Sequence, residues 1–176
     1  ALCQYTYGWR IHLDETLTQE EKINQREVWM TKSAENGFGE AMFKIGRNHL
    51  GRNNMTGANH WFQRAIAAND PDAAYQVGHL LLLGMLSPSM MGTDEEIGGI
   101  VRSHSRDEDV QGMALELFER AAKWGSSPFA GAPFAMYNLG VAWLYGYAGI
   151  RRNPKVAVKW FEKSGLPEGL MAMSLY

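Results

Sequence analysis

The chain has 176 residues, of which 45% are hydrophobic and 20% charged, the composition of an ordinary folded protein with a sizeable core. A net charge of -2 argues against a basic nucleic-acid surface or a polybasic membrane patch, and the one cysteine, Cys3, excludes an internal disulfide framework and any multi-cysteine metal site. No run of about 18 apolar residues is present, so no transmembrane segment is expected.

Residues 1–13 read as a helix carrying Tyr5, Tyr7 and Trp9. Thr18-Gln-Glu-Glu21 then has the spacing of a capping box, in which the Thr18 hydroxyl accepts from the Glu21 backbone N–H and Glu21 reaches back. The helix it starts runs to about Asn36, with Gly37 as its stop. Glu40 to Leu50 is the next helix, Gly51 to Thr56 a turn, and Gly57 to Ala68 another helix. Asn69-Asp70-Pro71-Asp72 ends one helix and begins the next, with Asp70 as N-cap and Pro71 at the first helical position. Ala73 to Leu83 follows and is strongly apolar.

Residues 85–111 interrupt the helical pattern with glycines and mixed charges and read as a long loop. Met90, Met91, Ile97, Ile100 and Val101 would be its apolar anchors if it served as a docking arm. A second, shorter interruption covers Ser126 to Pro133. Residues 134–163 then form the clearest pair of helices, and Leu166-Pro-Glu-Gly169 leads into a last fragment.

Laid in register, these elements repeat. Ala41-Met-Phe43-Lys-Ile-Gly46 matches Ala73-Ala-Tyr75-Gln-Val-Gly78 and Ala135-Met-Tyr137-Asn-Leu-Gly140, while Cys3-Gln-Tyr5-Thr-Tyr-Gly8 fits the same frame and Ala172 restarts it. The second helix of each pair repeats as well, with Trp29, Trp61, Leu117 and Trp160 at one position and Ser33, Ala65, Ala121 and Ser164 four places on. Eight places on, the first three carry Gly37, Asn69 and Gly125, residue types that tolerate a left-handed helix end. A glycine inside a helix costs about 1 kcal/mol against alanine, so the recurrent Gly46, Gly78 and Gly140 are expected to meet a neighbouring helix.

These residues resemble the Sel-1-like repeat family, relatives of the tetratricopeptide repeats. The resemblance implies an all-α fold, an α-solenoid of stacked antiparallel helix pairs, over residues 1–176 as one domain. Its units would be about 3–37, 38–69, 70–125 with the loop at 85–111 inserted, 132–165, and a partial repeat at 168–176. It further implies a non-catalytic scaffold or adaptor that binds other proteins, as a structural or accessory subunit of a larger organellar or membrane-associated complex. An adaptor in endoplasmic-reticulum protein quality control is the second reading. The residues do not fix a compartment; an intracellular one is favoured, with mitochondrion and endoplasmic reticulum as the candidate organelles. Neither end of the repeat array carries a polar cap, so a partner or further chain is expected to cover each.

By the same resemblance the first helices line the binding face. That places Lys44, Arg47, Gln76, His79, Asn138 and Val141 toward a partner, with Phe43, Tyr75 and Tyr137 at the edge. Lys44 and Arg47 together would suit an acidic or C-terminal carboxylate group.

No motif for catalysis competes with this reading. The histidines His12, His49, His60, His79 and His104 share no metal spacing, and no phosphate-cradling glycine loop or nucleophile elbow occurs. No cofactor and no metal are therefore expected. An enzyme with its site in 85–111, built from Asp94-Glu-Glu96, Asp107-Glu-Asp109 and His104, is the alternative of another class. Cys3 is expected as a buried packing residue, and Trp29, Trp61 and Trp160 as core. Asn54-Met-Thr56 is a glycosylation sequon that matters only in a luminal compartment.

Overall fold

Helix starts are set where the chain supplies a side-chain acceptor for the orphan backbone N–H groups. In this computed structural model, which describes residues 1–91, 110–125 and 131–173, Thr18 opens a helix with both halves of its capping box formed. Asn54, Asp70 and Asn153 each accept from the backbone N–H three residues on, and Pro71 and Pro154 follow directly in the first helical position. Stops are equally local: Gly37 and Asn69 turn left-handed at φ +86° and +59°. Gly125 does not, contrary to expectation; a side chain there would meet the Ala121 carbonyl at 3.1 Å and also strike Ala132. Close approach of the following helix, not a left-handed turn, requires that glycine.

Among the described residues the elements are α1 (Leu2–Arg10), α2 (Gln19–Glu35), α3 (Gly39–Gly51), α4 (Met55–Ala67), α5 (Pro71–Leu82), α6 (Val110–Trp124), α7 (Gly131–Tyr145), α8 (Pro154–Ser164) and α9 (Pro167–Met173). Short 3-10 turns occupy Ile11–Leu13 and Pro88–Met90. No strand occurs among the described residues. Helix α7 begins earlier than expected. Its first residues lie within the stretch 126–133 read as an interruption, because the Gly131 N–H donates to the Asp72 carboxylate of α5.

The chain divides into two units, Ala1–Ala68 and Asn69–Tyr176. In the first, α1 pairs with α2, α3 pairs with α4, and α2 packs on α3. In the second, α5 pairs with α6 and α7 with α8, while α7 also lies against α5 and α6, and α9 against α8. Each unit is thus a stack of helix pairs, the α-solenoid arrangement.

One contact is repeated in three pairs. A Cβ added to Gly46 would lie 2.6 Å from the Phe62 ring, one on Gly78 2.8 Å from the Phe118 ring, and one on Gly140 2.5 Å from the Phe161 ring. All three rings are at most 1% exposed. The glycine lets the first helix sit directly on a phenylalanine of the second, and burying that ring contributes on the order of 1.5–3 kcal/mol. The aromatic three places before each glycine rests on the same ring: Phe43 on Phe62 at 5.9 Å, Tyr75 on Phe118 at 5.8 Å, Tyr137 on Phe161 at 5.6 Å. Ala41, Ala73 and Ala135 are fully buried beside them.

Trp29, Trp61 and Trp160, expected in the core, are half-buried instead. The core position is the next residue, Met30, Phe62 or Phe161. Each indole is covered from outside by a cation three residues on: Lys32 at 4.6 Å, Arg64 at 4.6 Å and Lys163 at 4.8 Å from the ring centre. Leu117, at the same register, is fully buried. Cys3 also departs from its expected burial. It is exposed, because α1 packs chiefly on α2 and leaves that side open.

Of the loop 85–111, residues 92–109 lie outside the described residues, and with them Ile97, Ile100, Val101, His104 and both acidic clusters. Its start is tied down: Leu86 and Met91 are buried. Met91 therefore belongs to the protein's own interior and is not available as a docking anchor.

A candidate protein-binding groove

The stripe Ile23, Arg26, Glu27, Met30, Thr31 recurs at helical spacing along one face of α2. Lys44, Ile45, Arg47, Asn48, His49 and Arg52 continue along α3 and its C-cap. Since α2 packs on α3, the two stripes face a common groove, lined also by Trp9 of α1, with a volume of about 550 Å³. Its apolar floor is Met30, which is buried, and Ile45, which is half-buried.

The groove carries four cations, Arg26, Lys44, Arg47 and Arg52, against one carboxylate, Glu27. It is therefore locally positive in a chain whose net charge is -2. Two of the cations are already committed. Arg26 lies over the Trp9 ring, 4.2 Å from its centre, and Arg52 pairs with Glu27 at 3.5 Å. Lys44 and Arg47 have no carboxylate partner among the described residues. Their ring contact, with Phe43, is at 5.9 and 6.0 Å, the outer limit of a cation–π interaction. His49 is held from α4: the Asn54 amide donates to its Nδ1 at 3.2 Å while Asn54 Oδ1 caps the Gly57 N–H at 2.9 Å. Its Nε2 then carries the proton. The sequon asparagine is thus a helix cap.

In the second unit, the stack of α5 on α7 gathers other residues expected at a binding face. The Tyr75 ring stacks on His79 at 5.8 Å and touches Phe134 at 5.7 Å. Burial raises the Tyr75 hydroxyl above its usual range, opposed in part by its hydrogen bond to Asn138. Tyr75, His79 and Asn138 therefore form one cluster. Asn138 and Val141 also line a small, mostly apolar pocket of about 160 Å³ with Leu82, Leu115, Phe118 and Tyr147. Gln76 is half-buried and lines neither cavity, and Tyr137 is spent on Phe161.

The expected residues thus fall into separate places: Lys44 and Arg47 in the groove, Tyr75, His79, Asn138 and Val141 around the α5–α7 face. Reasoning from first helices alone missed Arg26 and Glu27, because a second helix, α2, forms one groove wall, and Arg52, because it lies at the C-cap of α3, beyond the repeated Ala-to-Gly frame. The signal was present in the i, i+3, i+4, i+7, i+8 spacing from Ile23 to Thr31. Among the described residues no group of three or more His, Cys, Asp or Glu side chains could hold a metal ion. Among the same residues no helix is long and apolar enough to cross a membrane.

The family profile described as the Sel1 repeat matches residues 39–70, 105–126 and 133–165. The chain belongs to the Sel1-repeat family. Two of these repeats, 39–70 and 133–165, contain the Gly46–Phe62 and Gly140–Phe161 contacts, and the third contains Phe118. The α1–α2 pair, which supplies one wall of the groove, lies outside the matched segments.

A solved Sel1 repeat protein from Oxalobacter formigenes has the same fold. It is 21% identical, with a TM-score of 0.61 over 84% of this chain and 96% of that one. A protective antigen present in uropathogenic Escherichia coli strains, displaying an SLR fold, aligns over 98% of this chain and 40% of its own. Its identity is 22% and its TM-score 0.45. No curated protein matches the sequence. Sel1 repeats generally mediate protein–protein interaction, and the family is generally one of non-catalytic scaffolds.

Proposed function

We propose that this Sel1-repeat chain is a non-catalytic adaptor or accessory subunit that holds a partner protein in the groove between α2 and α3. The observation that carries the reading is the groove itself. It is open, floored by apolar side chains, and walled by Lys44 and Arg47, two cations that the described residues leave without a carboxylate. Such a surface offers apolar contact and orientation. Reactive groups do not converge in it: its one histidine is tied to a helix cap, and its one carboxylate to Arg52.

Native purification of the tagged chain from the cells that make it tests this. At least one protein is expected in near-stoichiometric amount. It should be lost when the exposed Asn48 is replaced by Trp, which fills the groove without changing its charge, and kept when the exposed Cys3 is replaced by Ala. Retention of every partner by Asn48→Trp would contradict the reading.

A further inference from the structure

Resting on that interaction reading, we infer that the groove selects an extended acidic segment of the partner, with its carboxylates on Lys44 and Arg47 and its apolar side chains on Met30 and Ile45. Charge complementarity argues for this occupant. The groove is positive where the chain as a whole is negative, and the two cations without a carboxylate partner among the described residues stand side by side.

Spacing agrees. Residues three apart on a helix bring their Cβ atoms to about 5–6 Å. Alternate side chains of an extended strand recur at about 6.6 Å on one side. Flexible Lys and Arg stems cover the difference, and the Arg47 guanidinium accepts a carboxylate in two-point fashion. Arg26 lies over the Trp9 ring, and Arg52 reaches the exposed Glu27 at 3.5 Å. Glu27 also acts against a polyphosphate, because a nucleic-acid backbone would place successive charges along a groove that offers two uncommitted cations and one carboxylate.

The test is fluorescence anisotropy at low salt with three labelled ten-residue peptides, alternating Leu with Glu, Gln or Lys, and a ten-nucleotide single-stranded DNA. The Glu peptide is expected to bind at least about tenfold more tightly than the Gln peptide and to weaken as salt rises. The double variant Lys44→Glu/Arg47→Glu should lose the Glu peptide and gain the Lys peptide, with circular dichroism unchanged from the parent. Equal binding of Glu and Gln peptides, an unaltered preference in the double variant, or DNA binding as tight as the Glu peptide would each overturn the inference. Partner capture separates the two readings. If Asn48→Trp abolishes it and the charge reversal does not, the groove is the interface and its acidic preference is wrong.

Discussion

The glycine inside each first helix is the residue on which a helix pair turns. Gly46 and Gly51 sit on the same helix, α3, yet opposite outcomes are expected on replacing them by alanine. At Gly46 the new methyl strikes the buried Phe62 ring at 2.6 Å, whereas at Gly51 nothing lies within 4 Å. Overpacking costs about 1–3 kcal/mol and the gain in helix propensity is about 1 kcal/mol. Gly46→Ala should therefore lower stability by up to about 2 kcal/mol in urea unfolding, and Gly51→Ala should raise it by up to about 1 kcal/mol. Adding Phe62→Leu to Gly46→Ala should cost less than the two single changes summed, since both act on one contact.

Tyr5 makes the corresponding long-range link between α1 and α3. Its hydroxyl donates to Glu40 Oε1 at 2.5 Å across 35 residues. Burial first, and then the Glu40 carboxylate, push the hydroxyl well above the usual tyrosine range. A group whose folded-state pKa is raised stabilises fully below its unfolded value near 10 and loses that contribution as pH rises through the folded value. Stability should therefore fall above about pH 10, and Tyr5→Phe should flatten that alkaline slope while costing about 1.5 kcal/mol at neutral pH. Thermal melts from pH 7 to 11 would show it; an unchanged slope in Tyr5→Phe would assign the alkaline loss elsewhere.

At the scale of the helix, local chemistry was legible and packing direction was not. Thr18-Gln-Glu-Glu21 and Asp70-Pro71 declare their helix starts because capping needs only neighbours in sequence. Thr18→Ala should lower stability by about 1 kcal/mol. Glu21 is held below the usual carboxylate range by the Thr18 backbone N–H and then its hydroxyl. A depressed pKa contributes above the unfolded value and is lost as pH falls through the folded one. The start of α2 should thus weaken on acidification, and Glu21→Gln should remove that dependence, read as the acid slope of the melting temperature.

What periodicity left undecided was which of two adjacent bulky residues faces inward. In Trp61-Phe62 and Trp160-Phe161 both fit the apolar stripe, and the larger was the natural choice for the core. The glycine of the facing helix settles it, since a phenylalanine ring fits beneath Gly46 or Gly140 while the indole stays at the edge under a Lys or Arg. Cys3 shows the same limit. A small residue in the right frame is buried only when a second helix covers its side, and frame alone does not say whether one does. For the groove, Lys44 and Arg47 were readable from the repeat, but Arg26 and Arg52 were not, because their meeting depends on how one pair lies on the next.

Taken as a molecule, the protein combines an acidic total with a positive groove, and that contrast is what gives a binding function its direction. Exposed charges separated by more than a Debye length, about 10 Å at 0.1 M salt, contribute little, so the local sign governs what approaches. The most direct test of the account is hydrogen–deuterium exchange of the chain alone and in complex with its captured partner. Protection on binding is predicted to concentrate in residues 23–31 and 44–52, the two groove walls. Protection confined to α4 and α8, with α2 and α3 unchanged, would contradict it.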